Sequence, residues 1–195
     1  MLFSSSELID VQGLQYLPDW ITTAEEQDLL NRISTLSFSE VRMHGVTAKR
    51  QVVHFGWSYG YDSWQITPTD PIPSRLSPTR ERAASLISVP AETVEEVLIS
   101  RYARGAGIGW HRDAPMFGPS VVGISLAGIC RMRFQRTIGS TRRTTEILLA
   151  PRSVYVLRDA ARFQWQHSIP PTNEFRYSIT FRTVRNKSER GPDRG

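Results

Sequence analysis

From Glu95 onward the chain breaks into short stretches at strand spacing, each bounded by turn residues. The stretches are Val97–Tyr102, Ser120–Leu126, Arg131–Arg136, Thr144–Leu149, Ser153–Leu157 and Tyr177–Thr183. Gly139 and Ser140 fit a hairpin tip, and Pro151 and Arg152 a tight connection. Strands this short, repeated this often, must close into a sandwich or barrel to satisfy their edges, and a jelly roll is the expected architecture. Helices belong to the N-terminal half. Thr23 and Glu26 read as the capping box of a first helix, with Leu29, Leu30, Ile33 and Leu36 as its apolar stripe. Ser77 and Pro78 open a second helix that runs to about Ile87, and its Arg75, Arg80 and Arg82 read as solvated charges. Residues 41–64 read as irregular strands and loops, 67–78 as an extended proline-rich connection, and 186–195 as a disordered polar tail.

The chain's 195 residues fit one domain, taken as 1–185 with a core of about 95–184. Lys and Arg outnumber Asp and Glu by 24 to 19, a balance compatible with a polyanionic partner. Cys130 is the sole cysteine, which excludes an internal disulfide and a cysteine-based zinc site. There is no secretory start and no apolar run long enough for a membrane span, so a cytoplasmic monomer is expected.

The chemistry is carried by His111, Asp113, His167, Arg176 and Arg182. In an extended segment residues i and i+2 share a face, so His111 and Asp113 can grip one metal. Two imidazoles and a carboxylate hold ferrous iron by one face and leave sites for an organic co-substrate and oxygen. In the stretch from Arg176 to Arg182, Arg176, Ser178, Thr180 and Arg182 would face one side, and Tyr177, Ile179 and Phe181 the other. The two arginines, about 20 Å apart along an extended strand, could clamp a short dicarboxylate between them. Each signal has a bland alternative: a solvated loop triplet, a satisfied core histidine, an exposed edge strand. Metal site and diacid clamp together point to a 2-oxoglutarate-dependent iron oxygenase. Gly105, Gly107 and Gly109, just before His111, suit a tight turn beside a bound ligand.

The second half resembles the AlkB family of iron(II)/2-oxoglutarate dioxygenases. The matching stretches are Leu98–Tyr102, Gly109–Asp113, Trp165–His167 and the Arg176–Arg182 pair, whose R-x5-R spacing is more specific than the triad. Ala48–Gln51, leading to Phe55 and Gly56, is similar to the start of the family's substrate lid, here about 45–66. The resemblance implies Fe(II), 2-oxoglutarate and O2, with His111, Asp113 and His167 as metal ligands. It places the distal carboxylate of 2-oxoglutarate on Arg176 and Tyr102, and Ser100 and Ser178 along the pocket. Arg182 would lie toward the keto-acid end, as a catalytic and cofactor residue. Ser100 stands where the family often carries asparagine, which shortens or removes that co-substrate contact, and Ser178 stands where some members carry asparagine. The implied reaction is oxidative demethylation of N-alkylated bases in single-stranded DNA or RNA, releasing succinate, CO2 and formaldehyde.

For the substrate, aromatic residues cluster near cations: His54, Trp57, Tyr59, Tyr61 and Trp64 beside Lys49 and Arg50. Trp57, Tyr59 and Tyr61 alternate on one face and are the candidates for base stacking, with Lys49 and Arg50 for phosphate. A surface hairpin packing its rings on the core is the plainer alternative. Three rival functions stay open: the same oxygenase acting on a protein side chain or metabolite, a non-catalytic nucleic-acid-binding module, and a zinc hydrolase.

Overall fold

A computed structural model of the chain describes residues 11–43, 46–60 and 65–185. The strands are β1 (Leu14–Leu17), β2 (Ser39–Met43), β3 (Val46–Phe55), β4 (Trp57–Gly60), β5 (Gln65–Pro68), β6 (Glu96–Tyr102), β7 (Ile108–His111), β8 (Phe117–Leu126), β9 (Cys130–Ile138), β10 (Thr141–Leu149), β11 (Val154–Leu157), β12 (Gln166–Ile169) and β13 (Arg176–Val184). Three helices accompany them: α1 (Thr23–Ser34), α2 (Ser77–Leu86) and α3 (Asp159–Phe163). A large sheet runs β1-β11-β8-β13-β6-β3-β2, a smaller one runs β10-β9-β12-β7, and β4 with β5 makes a separate hairpin. Every pairing is antiparallel. Strands β6 to β13 pass back and forth between the two sheets as in a jelly roll, with the β9–β10 hairpin lying wholly in the smaller one. Among the described residues no helix is long and apolar enough to cross a membrane.

Strand alternation divides the large sheet into two faces. Ile99, Val122, Ile124, Val154, Val156, Ile179 and Phe181 join Leu29 and Ile33 of α1 and Ala83 and Ala84 of α2 in one buried cluster. The opposite face turns toward Met132, Phe134, Leu149 and Ile169 of the smaller sheet, and the site lies there. Strand β13 pairs with both β6 and β8, so its arginines sit in the middle of the sheet and not on an edge.

Four expectations shift. The cap of α1 is Thr22 with Glu25, one residue earlier than Thr23 and Glu26. Both frames satisfy the capping pattern; the earlier one turns Glu26 inward, where Oε1 accepts from the Ala127 amide at 2.8 Å. Arg80 and Arg82 are not merely solvated. Arg80 donates to the Val94 and Glu92 carbonyls, and Arg82 pairs with Glu25 at 2.6 Å and stacks over Trp20. Residues 46–55 are a regular strand of the large sheet, held by pairing to β6, so only the β4–β5 hairpin of the lid segment stands apart. Finally, Gly107 approaches the protein's own backbone: a Cβ there would lie 2.5 Å from the Ile169 carbonyl oxygen, so the glycine seats β7 against β12.

Candidate active site

Two four-residue strands set the metal-ligand candidates side by side. In the register of β12 with β7, His167 is the partner of His111, and their rings lie 4.2 Å apart. Asp113 follows two residues later, buried, with Oδ2 3.7 Å from His167 Nε2. His111 Nδ1 lies 2.9 Å from the Gly109 carbonyl oxygen. A carbonyl only accepts, so Nδ1 carries the proton and Nε2 keeps its lone pair for a metal. The three donors converge without being closed: among the described residues no three His, Cys, Asp or Glu side chains already stand as a metal-holding group. Asp113 Oδ1 instead accepts from Arg182 at 2.5 Å. The donor chemistry is nevertheless that of a ferrous facial site, two imidazoles and a carboxylate.

Protonation favours ligation. Burial lowers the pKa of His111, with Asp113 opposing part of that effect. Burial and the neighbouring His111 outweigh Asp113 at His167 and bring its pKa down to about 3. Burial would raise Asp113, but Arg182 and then both imidazoles hold it far below the ordinary carboxylate range. At neutral pH the set is therefore two neutral rings and one carboxylate, with no proton to displace. An unfolded histidine takes up a proton near 6.5, the folded His167 only near 3. Stability is thus intact above the unfolded value and falls as pH drops from 6.5 toward 3. Chelator-treated protein should lose about 2 kcal/mol between pH 7 and pH 5 through His167, and His167→Gln should remove most of that slope. Denaturant midpoints at the two pH values check this; equal pH slopes for both proteins would contradict it.

Beside these residues lies a cavity lined by Ser100, Tyr102, Tyr155, Arg176, Ser178 and Thr180, together with His111, Asp113, His167 and Arg182. Arg176 is fully buried; one terminal nitrogen donates to Ser125 Oγ at 3.1 Å, while Nε and the other terminal nitrogen have no partner among the described residues. Its guanidinium lies 4.8 Å from the centre of the Tyr102 ring. A buried cation with unspent donors is an anion receptor, and its fork fits a carboxylate. Arg182 differs. Its terminal nitrogens hold Glu96 at 3.1 and 3.2 Å as well as Asp113, so the two-arginine diacid clamp gives way to one arginine for the diacid. Arg182 is a positioning residue that acts through Asp113. The wall opposite depends on Gly123, where a Cβ would lie 2.2 Å from the Tyr155 ring. Gly123→Ala should therefore push Tyr155 into the cavity and raise the KM for 2-oxoglutarate by about tenfold, a cost of about 1.4 kcal/mol. Unchanged co-substrate kinetics would show that the ring moves elsewhere.

A second cavity shares Arg50, Leu98, Ile108, His111, Asp113 and Arg182 with the first, and is completed by His54, Tyr59, Arg112, Ala114 and Phe117. Tyr59 meets Phe117 edge to face at 6.3 Å. The substrate residues expected from sequence therefore separate. Tyr59 is at this mouth, and Trp57 is half-buried on the same hairpin but outside the lining. Lys49 is exposed, and Tyr61 and Trp64 lie outside the described residues. Arg50 is buried and walls both cavities, so it cannot track a phosphate backbone on the surface.

The model of the 2OG-Fe(II) oxygenase superfamily matches residues 13–182. The chain is a 2-oxoglutarate- and iron(II)-dependent oxygenase. Within that superfamily, relatives it is similar to carry the names of AlkB homologues. It is 29% identical to the Arabidopsis thaliana "alkylated DNA repair protein ALKBH8 homolog" over 91% of its own length and 60% of that protein. It is 24% identical to the Danio rerio "probable RNA/DNA demethylase ALKBH6", over 79% and 68% of the two chains. Against the Mus musculus "tRNA (carboxymethyluridine(34)-5-O)-methyltransferase ALKBH8" it is 26% identical over 82% of its length, which is 24% of that protein. The chain thus spans 60% of the plant relative and about a quarter of the mouse one. The structure of OsALKBH1 shares the fold, with a TM-score of 0.65 over 88% of this chain and 98% of that one, at 15% identity.

In this oxygenase His111, Asp113 and His167 would hold iron, and Arg176 with Tyr102 the 2-oxoglutarate. When bound, the pair couples activation of O2 to oxidation of a C–H bond. The chain supplies the rest. Arg182 and Glu96 fix the carboxylate of Asp113, and Gly109 fixes the tautomer of His111. Arg162, missed by sequence reasoning, is 3% exposed and donates to the carbonyls of Asp113, Ala114 and Gly118. It ties down the loop that carries Asp113. Glu96 was also missed; a single glutamate at a strand start gives no signal of its partner 86 residues away.

Proposed function

We propose that this dioxygenase removes N-alkyl groups from nucleobases in single-stranded DNA or RNA. The observation that carries the reading is the pair of cavities sharing His111, Asp113 and Arg182. One presents an anion receptor for the co-substrate. The other opens past Tyr59, Phe117, His54 and Arg50, a mixture of flat rings and hydrogen-bond donors suited to an extruded base. The names of the Arabidopsis and zebrafish relatives point the same way for those proteins. One oxygen atom enters the N-methyl C–H bond and the other enters succinate as 2-oxoglutarate loses CO2. The resulting N–CH2OH group loses formaldehyde as its C–N bond breaks, and the nitrogen regains a proton.

The test is anaerobic reconstitution with iron(II) and 2-oxoglutarate, then exposure to air with methylated DNA, methylated RNA and methylated peptides. Formaldehyde and succinate in step from an oligonucleotide alone is the expected result. Turnover with peptides only would overturn it. The mouse relative's name warrants one further arm, a tRNA anticodon stem-loop with a 5-substituted uridine. Oxidation of a carbon-linked substituent would leave a hydroxylated base and no formaldehyde, which would move the reaction from dealkylation to hydroxylation.

A further inference from the structure

The outer face of the smaller sheet carries a feature that the oxygenase chemistry does not use. In the registers of that sheet Gln166 faces Gln135, Gln135 faces Thr144, and His167 faces His111, which sets Arg112 beside Gln166. The row Arg112, Gln166, Gln135, Arg142 therefore runs from the residue just past β7 across β12, β9 and β10, on the reverse side of the two histidines. It is a built row: Gln135 Nε2 donates to Gln166 Oε1 at 2.7 Å, and Arg142 donates to Gln135 Oε1. With Arg136, Thr137, Phe163 and Gln164 it lines an open groove.

The chemistry of that lining is one-sided. It holds three arginines, three glutamines, a threonine and a phenylalanine, and no carboxylate. Among the described residues neither Arg112, Arg136 nor Arg142 is ion-paired. Phe163 is 43% exposed and stands at the end of α3 where the groove meets Gln164; the guanidinium carbons of Arg162 and Arg185 lie 5.1 and 5.9 Å from its ring centre. Cations for phosphates, amides for sugars and base edges, and an exposed ring for stacking form the combination that holds a single strand. Four strands at sheet spacing span about 14 Å, the length of about four stacked nucleotides. Arg112 joins groove to chemistry, because it lines this groove and the mouth beside His111 and Asp113.

We propose that this groove is a binding track for the nucleic-acid strand flanking the target base, with Arg136 and Arg142 on phosphates and Phe163 under a base. The proposal rests on the nucleic-acid reading above but concerns a surface away from the reaction. A negatively charged peptide is the competing occupant. Its carboxylates would satisfy the arginines, but it would leave the exposed part of the Phe163 ring uncovered.

The experiment uses the full chain, a fluorescein-labelled unmethylated 12-mer single strand, and the Arg136→Ser/Arg142→Ser and Phe163→Ala variants. Wild type should bind with a strong salt dependence. The double variant should bind about tenfold more weakly, its log–log salt slope smaller by about 1.4, or 0.7 for each lost phosphate contact. Phe163→Ala should weaken binding about fivefold or more, with its salt slope unchanged. Succinate formation with a methylated nucleoside should be the same in all three proteins. Equal affinities and slopes for wild type and double variant would overturn the groove. So would a poly-glutamate peptide displacing the 12-mer as well as an unlabelled 12-mer does. If the variants lose 12-mer binding as expected but wild type demethylates no oligonucleotide, the track stands and the dealkylation reading fails. If wild type demethylates oligonucleotides and the variants bind and turn them over equally well, the track alone fails.

Discussion

Arg176→Met is expected to abolish co-substrate binding and, at the same time, leave the unliganded protein as stable as before or more so. The two effects share one cause. The guanidinium of Arg176 is fully buried, and two of its nitrogens have no partner among the described residues. Burying a cation costs several kcal/mol after relaxation, and each orphaned donor adds about 1–3 kcal/mol. The stack on Tyr102 and the bond to Ser125 offset part of that cost. A dicarboxylate offsets the remainder, since a bidentate arginine–carboxylate contact is the strong form of the hydrogen bond. Methionine has similar length and no polar demand, so it removes receptor and penalty together. The KM for 2-oxoglutarate should rise at least about a hundredfold, equivalent to about 2.7 kcal/mol. Thermal melts with and without 2-oxoglutarate and a divalent metal provide the second readout. Wild type should gain stability with ligand concentration while the variant gains none. Arg176→Lys should fall between them, because it keeps charge but loses the fork. A methionine variant that melts several degrees lower would make Arg176 a structural cation, and one that 2-oxoglutarate still stabilises would move the diacid elsewhere.

What the sequence revealed follows from how locally each feature is encoded. The alternation from Arg176 to Arg182 needs only one strand, and the sorting of Tyr177, Ile179 and Phe181 into the helix-side core is as that alternation predicts. Stretches in β6, β8, β9, β10 and β11 were legible for the same reason, with no end displaced by more than three residues. The strands that deliver the histidines were not. Gly109 within β7 and Ser168 within β12 interrupt four-residue segments too short for a period to show, and pairing with neighbours decides their conformation. Five-residue α3 escaped for a similar reason, and Arg162 with it. Arg50 shows the limit on side-chain roles. Composition placed it with Lys49 as a surface cation, but adjacent strand residues face opposite ways, and Arg50 is the one turned inward. Glu96 became visible only through its register with Arg182, a pairing between the third-from-last strand position of β13 and the first of β6.

The same network makes the candidate metal ligands unequal in what their loss should do. His111→Ala should stop turnover, lowering it at least about a thousandfold, yet leave a folded chain. His111 is neutral and half-buried, and among the described residues its side chain hydrogen-bonds only Gly109, two residues away. Its removal costs packing against His167, about 1–2 kcal/mol. Asp113→Ala should stop turnover equally and destabilise by about 3 kcal/mol, because one partner of a buried ion pair is lost. Arg182 would keep Glu96, which limits the damage, but Arg162 and both imidazoles would lose the negative charge they face. Equilibrium dialysis with cobalt(II), succinate formation and denaturant melts separate the outcomes. Weakened metal binding with a near-native midpoint identifies His111 as a ligand, since a merely structural residue would move the midpoint instead. Full activity in His111→Ala would remove it from the ligand set. An Asp113→Ala protein as stable as His111→Ala would show that Glu96 alone neutralises Arg182, leaving Asp113 to serve the metal and not the fold.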